Sequence, residues 1–152
     1  MKTNRIVHAL LLALCSTAFA ASAAVNSAFQ DRKDNFTVMG RSMKAITDEL
    51  KRPTPNSATI KANARALARS APKVAGYFPK GTGPEAGVKT DALPSIWQKP
   101  AEFKSTAARL VQATQALEAA AGVGDIAATR TAVGAVGQTC KSCHDNFRKP
   151  RS

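Results

Sequence analysis

Cysteine and histidine are scarce in this sequence. Of its 152 residues, 3 are cysteine and 2 are histidine, and beyond the first 24 residues only Cys140, Cys143 and His144 remain. A structural zinc site normally needs four protein ligands, mostly cysteine and histidine. A closed zinc site of this type would therefore require ligands from another chain.

Acidic residues and strand patterns are scarce as well. The chain has 10 Asp and Glu against 22 Lys and Arg, a formal net charge of +12. Such a charge favours solubility and attracts anionic partners. No basic stripe is interleaved with aromatic residues, which argues against nucleic-acid binding. The lack of a strand pattern argues against a thioredoxin-like cysteine pair, because that redox motif lies near a βαβ unit.

The N-terminal segment has the pattern of a secretory signal peptide. Residues 1–24 begin with Lys2 and Arg5, continue with an apolar run and end in small residues. This segment is too short and wrongly flanked to be a membrane span. We therefore expect cleavage of residues 1–24, export to the periplasm, and a domain of residues 25–152 that is not inserted in a membrane.

Apolar residues recur at steps of three and four along the remaining chain, which predicts α-helices. A first helix is expected from about Ser27 to Lys51, and a second begins at a cap formed by Asn56 or Ser57. A third begins at Pro100 and a fourth at a cap formed by Asp125. Four amphipathic helices predict an all-α fold, an antiparallel up-down four-helix bundle. Residues 79–94 form a Gly- and Pro-rich loop, and long loops of this kind are often functional.

The last predicted helix contains the most specific motif of the chain. Cys140, Cys143 and His144 form the spacing C-x-x-C-H, which is typical of a c-type haem attachment site. Two thiols three residues apart on a helix can each add to one vinyl group of the same porphyrin, and the next residue can offer an imidazole nitrogen to the iron. The motif therefore predicts a haem bound near the C-terminal helix.

Residues that share one face of this helix predict that the motif lies beside the core. The members of this face at helical spacing are Ile126, Arg130, Val133, Gly137, Cys140, His144 and Phe147. We therefore expect Cys140 and His144 on the side that faces the core. Gly134 and Gly137 weaken the helix, and either a flat ring lying against it or close helix–helix packing would explain them.

The sixth iron ligand is left open by these residues. With His144 as the single histidine outside the leader, a bis-histidine haem within one chain is excluded. The remaining options are a methionine, a less usual ligand such as lysine, a small molecule, or nothing. Met39 and Met43 support the alternative of a low-spin electron carrier with one of them on the iron. We do not expect an enzyme, because no second histidine remains after the leader to act as the distal acid or base of a haem peroxidase.

The sequence resembles the cytochrome c′ family, the class II c-type cytochromes. The resemblance rests on Cys140-Lys141-Ser142-Cys143-His144-Asp145-Asn146-Phe147-Arg148-Lys149 near the C-terminus, because ordinary cytochromes c have the motif near the N-terminus. Further support comes from Arg32-Lys33-Asp34-Asn35-Phe36, Ile60-Lys61-Ala62-Asn63 and Pro94-Ser95-Ile96-Trp97 followed by Phe103. It covers essentially the whole chain after the leader.

The resemblance implies a function and an assembly. It implies one covalently attached haem c per chain, with a five-coordinate, high-spin iron and an apolar distal side. It implies binding of nitric oxide and carbon monoxide, with nitric oxide scavenging or electron transfer as the role. It also implies a homodimer, while the redox partner is not identified.

The resemblance also assigns residues near the motif. Cys140 and Cys143 are the thioether anchors, and His144 is the axial iron ligand. Arg148 matches a residue on the proximal side of the haem. Its alternative role is that of a solvated cation, favourable at the C-terminus of a helix.

Residues far from the motif are assigned in the same way. Phe36 matches the distal position, and Arg32 matches an arginine that pairs with a haem propionate, with Lys33 at the haem edge. Asp91 and Ser95 lie in a loop that touches haem edges in relatives. The alternative for Phe36 is an ordinary core position, and that for Arg32 is an exposed position.

Overall fold

Four long helices form the bundle that the sequence predicts. The computed structural model describes residues 3–150, with side chains from residue 25 to 150. Its helices are α1 (Thr3–Leu50), α2 (Ser57–Ser70), the short α3 (Ser95–Gln98), α4 (Pro100–Val123) and α5 (Ile126–Phe147), with 3-10 turns at Ala71–Tyr77 and Pro84–Ala86. α4 packs against α5 and α2, and α1 packs against α2 and also contacts α5. The all-α four-helix bundle is therefore confirmed.

The predicted signal peptide, residues 1–24, lies outside the residues whose side chains are described, and its cleavage remains a prediction. Among the described residues, no helix combines the length and the apolar character needed to cross a membrane.

The helix boundaries follow from local capping. The side chain of Asn56 accepts a hydrogen bond from the Thr59 N–H at 3.0 Å, and that of Asp125 accepts one from the Ala128 N–H at 2.9 Å. These bonds satisfy amide groups that the first turn of a helix leaves unpaired. Gly124, with φ of +79°, ends α4 in the left-handed conformation that favours glycine. The caps at Asn56 and Asp125 and the start of α4 at Pro100 are thus confirmed.

One hydrophobic core lies between the helices. The buried faces of α1, α2 and α4 contain Ile46, Leu67 and Leu117, each 0% exposed. The core continues through the half-buried Phe36 and Met43 on α1 and reaches α5. Burial of these apolar side chains is the main driving force for the association of the helices.

The predicted inward stripe of α5 is correct for its apolar members and wrong for its two charged or ionisable ones. The members that lie in or against the core are Ile126, Val133, Cys140 and Phe147. Arg130 and His144 are exposed, and the buried Thr129 and Val136 belong to this face instead. Thr129 tolerates burial because its hydroxyl donates to the Asp125 carbonyl at 2.6 Å, while the charge of Arg130 is solvated.

The loop of residues 79–94 ends against the C-terminus of α5. Ala92 and Arg148 form an isolated antiparallel bridge. The Leu93 N–H donates to the Phe147 carbonyl at 3.0 Å, and the Lys149 N–H donates to the Asp91 carbonyl at 2.8 Å. The loop therefore binds the helix end that carries the C-x-x-C-H motif.

Truncation of Leu67 tests this core. The Leu67→Ala variant should lower the free energy of unfolding by about 2–5 kcal/mol, because it leaves a cavity at a fully buried position. Val123→Ala is the control, because Val123 is 83% exposed, and its effect should stay within about 0.5 kcal/mol. Denaturant unfolding followed by circular dichroism measures both, and equal effects would contradict this description of the core.

Candidate haem site

The C-terminal half of α5 presents the motif at the boundary between core and solvent. Cys140 and Cys143 are half-buried and pack against the hydrophobic core, and His144 is exposed. Both cysteines are free thiols. Within residues 25–150 no three Cys, His, Asp or Glu side chains form a group that could hold a metal ion. The geometry thus offers two half-buried thiols and one exposed imidazole at positions 140, 143 and 144 of one helix.

The two thiols have raised pKa values. Burial raises the pKa of Cys140. Burial and the neighbouring Cys140 together raise the pKa of Cys143 to about 11, although Arg109 acts in the opposite direction. A thiol whose pKa is raised above the ordinary value stays protonated at neutral pH. Both side chains therefore lie against the core as neutral groups.

The last turn of α5 is held by the chain segment around Asp91 and Ser95. The Ser95 hydroxyl donates to the Asn146 carbonyl at 2.8 Å, and the Asp91 carbonyl accepts from the backbone of Lys149. The Arg148 N–H donates to the His144 carbonyl at 3.1 Å. Asp91, Ser95 and Arg148 therefore lie at the helix end beside the motif, as the sequence suggested. Their part in binding a haem stays a prediction.

Arg32 lies inside the protein, on the inner side of α1. It is 5% exposed. Its Nε donates to the Tyr77 carbonyl at 3.1 Å, and its Nη2 donates to the Thr82 carbonyl at 3.1 Å and to the Thr82 hydroxyl at 2.9 Å. The Phe78 ring covers the guanidinium, with Cζ 4.1 Å from the ring centroid. Lys33, by contrast, is exposed on α1.

The charge of Arg32 is not neutralised within the described part of the chain. No carboxylate there forms an ion pair with it, and its Nη1 is buried without a hydrogen-bond partner. Burial lowers the pKa of this guanidinium, which still remains protonated because arginine does not lose its proton in proteins. An unpaired buried charge is costly, so an anion bound next to Arg32 would stabilise the folded protein.

Five aromatic rings connect α1 with the end of α5. Ring centroids are 6.4 Å apart for Phe36 and Phe78, 5.0 Å for Phe78 and Phe103, and 5.3 Å for Phe103 and Phe147, all edge to face. Trp97 adds a further edge contact to Phe78 at 6.0 Å. Edge-to-face pairs of this kind stabilise beyond their buried area. The aromatic cluster of these five residues therefore joins the predicted distal residue to the turn after His144.

The methionines of α1 are part of the core. Met39 is 5% exposed, and its sulfur accepts a weak hydrogen bond from the Asn35 amide at 3.6 Å. Met43 is half-buried and packs against the same core. Both side chains thus fill space between helices, the usual role of methionine.

Comparisons with known proteins agree with these features. The family model described as cytochrome C′ matches residues 27–148. The chain belongs to the cytochrome c′ family. A cytochrome c′ from Pararhodospirillum photometricum is 38% identical over 119 residues, which cover 78% of this chain and 93% of that protein. Members of this family are c-type haem proteins.

Two solved cytochrome c′ structures resemble the fold closely. One is the nitric oxide complex of a leucine-to-alanine mutant from Alcaligenes xylosoxidans, with a TM-score of 0.75 and 33% identity over 84% of this chain and 97% of that one. The other is a cytochrome c′ with an unusual ligand-controlled dimer dissociation. Its TM-score is 0.76, with 29% identity over 83% of this chain and 97% of that one.

The residues of this cytochrome c′ chain fit a haem group. The unpaired Nη1 of Arg32 suits a carboxylate, because arginine forms strong charge-assisted bonds with such groups. Apart from its chain neighbours and the nearby backbone of α5 itself, a Cβ added to Gly134 or Gly137 would meet no atom of the described residues within 4 Å. Close helix–helix packing is therefore wrong as the reason for these glycines. Space beside α5 next to the motif is compatible with a flat ring.

Sequence reasoning did not identify Thr82 or the carbonyl of Tyr77 as neighbours of Arg32. Both lie in the segment after α2, where no periodicity marks a side chain as buried. Two signals point to this segment, the aromatic character of Phe78 and the Gly- and Pro-rich loop that includes Thr82. Neither identifies a partner of Arg32, and an aromatic residue is more often core than cofactor contact.

Removal of the Phe78 ring should destabilise the site. Phe78→Ala deletes the aromatic contacts with Phe36, Phe103 and Trp97 and the ring that covers Arg32. The free energy of unfolding should fall by about 3–5 kcal/mol, as measured by denaturant unfolding. Phe29→Ala is the control, because Phe29 is partly exposed and belongs to neither the core nor the aromatic cluster, and its loss should be clearly smaller. Similar losses would show that the aromatic cluster contributes no special stability.

Proposed function

We propose that this protein is a periplasmic haem protein that binds small diatomic gases, chiefly nitric oxide. The proposal rests on the identity of the side chains that follow Arg32 on α1. The residue that matches the distal position is a phenyl ring, Phe36, which cannot coordinate iron. Met39 and Met43 lie one and two turns later on α1, and both pack with Phe36 in the same core. A related structure in complex with nitric oxide supports the same function. The leader of residues 1–24 supports the periplasmic location.

The motif on α5 would attach one haem c per chain. The thiols of Cys140 and Cys143 would each hold one vinyl group, with sulfur on one carbon and the thiol hydrogen on the other, so the attachment would be redox-neutral. The exposed imidazole of His144 would bind the iron. The haem, when bound, supplies an iron that takes up a small ligand and exchanges electrons.

Arg32 would bind a haem propionate through Nη1. The propionate carboxylate supplies the anion that the described residues do not. Since a buried donor without a partner costs about 1–3 kcal/mol, this pairing stabilises both the protein and the cofactor. We assign Arg148 to the proximal side, and Lys33, Asp91 and Ser95 to the haem edge.

Phe36 would select ligands by size and polarity. A phenyl ring cannot coordinate iron and offers no hydrogen-bond donor. Distal polarity, donors and steric access decide what a haem site binds. The apolar distal side therefore disfavours dioxygen, which needs a donor for stabilisation, and it admits nitric oxide and carbon monoxide.

The protein would act without catalysing a reaction, as a gas-binding homodimer. The absence of a second histidine after the leader leaves no distal acid or base. A related cytochrome c′ with ligand-controlled dimer dissociation supports the dimer. Electron transfer to a partner that is not yet identified is a secondary part of the proposal.

Visible spectra test the coordination. We expect the purified oxidised protein to show high-spin bands, and the reduced protein to change its spectrum with carbon monoxide. The colour should resist acid–acetone extraction. A Cys140→Ala/Cys143→Ala double variant is the control, and any haem that it binds should be extracted. Low-spin bands without a carbon monoxide effect would instead support the electron carrier with Met39 or Met43 on the iron.

Replacement of Phe36 tests the distal role. In the Phe36→Ala variant, carbon monoxide should bind the reduced protein at least about tenfold faster, equivalent to about 1.4 kcal/mol of activation free energy. Stopped-flow mixing measures this rate. Phe29→Ala, which shortens another phenylalanine of α1, should leave it unchanged. An unchanged rate in Phe36→Ala would remove Phe36 from the distal role.

A further inference from the structure

The buried hydroxyl of Thr82 is part of a directed hydrogen-bond chain that ends at Arg32. Thr82 is 4% exposed. Its hydroxyl donates to the Pro79 carbonyl at 2.8 Å and accepts from Nη2 of Arg32 at 2.9 Å. Because a hydroxyl has a single hydrogen and arginine only donates, the directions of both bonds are determined. The hydroxyl oxygen is therefore the acceptor for the guanidinium, and its hydrogen is directed to Pro79.

The segment that carries Thr82 is itself well bound. The same Pro79 carbonyl accepts a hydrogen bond from the Trp97 indole at 2.9 Å. The Tyr77 carbonyl accepts from Nε of Arg32 at 3.1 Å. Residues 77–82 thus present three acceptors to Arg32, which are the Tyr77 carbonyl and the carbonyl and hydroxyl of Thr82. The Trp97 bond connects the same segment to α3.

These acceptors define which part of Arg32 remains available. Nε and Nη2 are fully engaged by Tyr77 and Thr82, and the Phe78 ring lies against the guanidinium at 4.1 Å. A planar guanidinium bound at two nitrogens and covered by a ring cannot rotate without loss of these contacts. Nη1 is the nitrogen left without a partner.

We propose that Thr82 is a positioning residue, whose hydroxyl orients Arg32 so that Nη1 is presented to a haem propionate. This inference rests on the proposed function, in which Arg32 binds that carboxylate. Thr82 itself needs no contact with the cofactor. Its effect is transmitted through the plane of the guanidinium, a fork whose hydrogen bonds to a carboxylate depend on orientation.

The test compares isosteric and conservative variants of the haem-containing protein. Thr82→Val keeps the shape but removes the acceptor, and Thr82→Ser keeps the hydroxyl. Arg32→Gln removes the charge and defines the full effect. The readouts are the propionate bending band in resonance Raman spectra and the reduction potential from a spectroelectrochemical titration, both of which report on the charge and hydrogen bonding of the carboxylate.

We expect Thr82→Val to shift the propionate band in the same direction as Arg32→Gln. It should lower the reduction potential by at least half of the Arg32→Gln shift, because a less compensated carboxylate stabilises the oxidised iron. Thr82→Ser should restore both values to those of the original protein. Thr114→Val is the matched control, because Thr114 is 0% exposed and its hydroxyl donates within α4. It should move neither readout.

Two results would overturn the inference. If Arg32→Gln shifts both readouts while Thr82→Val does not, Thr82 has no positioning role and the propionate assignment of Arg32 stands. If Arg32→Gln itself shifts neither, the propionate assignment fails and the inference fails with it. Thr82→Ala gives the same comparison if the valine variant does not fold, as judged from its circular dichroism.

Discussion

A buried cation sets the main constraint on this bundle. Arg32 lies among apolar side chains, where an unpaired charge is expensive. The chain meets this cost by a turn after α2 whose carbonyls and hydroxyl face the guanidinium, and by the Phe78 ring that lies against it. The path of residues 77–82 therefore follows from the position of one side chain on α1. The described residues supply no hydrogen-bond acceptor for Nη1 of Arg32, which is buried.

The same region joins the two ends of the proposed site. The aromatic cluster extends from Phe36 through Phe78 and Phe103 to Phe147, one turn beyond His144. The end of α5 is bound in addition by the backbone on either side of Ala92. Because these ring contacts are continuous, the helix that carries the motif and the helix that carries Phe36 form one packed unit. A cofactor bound between them would be oriented by both.

The proposed site divides chemical roles between helices. α5 would supply the thiols of Cys140 and Cys143, whose pKa values are raised by burial, and the exposed imidazole of His144. α1 supplies one charge and one apolar ring, and its methionine sulfurs lie in the core. A haem protein that selects ligands by access and low polarity needs its iron-binding groups on one helix and an apolar side chain on the other. Any further donor on the distal side would change what the iron binds. The membership of the cytochrome c′ family agrees with this division.

Local rules explain what the sequence alone determined. Helical periodicity, the caps at Asn56 and Asp125 and the C-x-x-C-H spacing each depend on residues within a few positions of one another, and the family resemblance added the proposed role of Arg32. Only the tertiary structure decided that Thr129 and Val136 are buried on α5 while Arg130 is exposed, because neighbouring residues of a helix differ by about 100° in direction. It also decided the pairing of Arg32 with Thr82, 50 positions apart. No local pattern encodes such a contact, since it arises when packing removes a charge from water and the nearest backbone must solvate it.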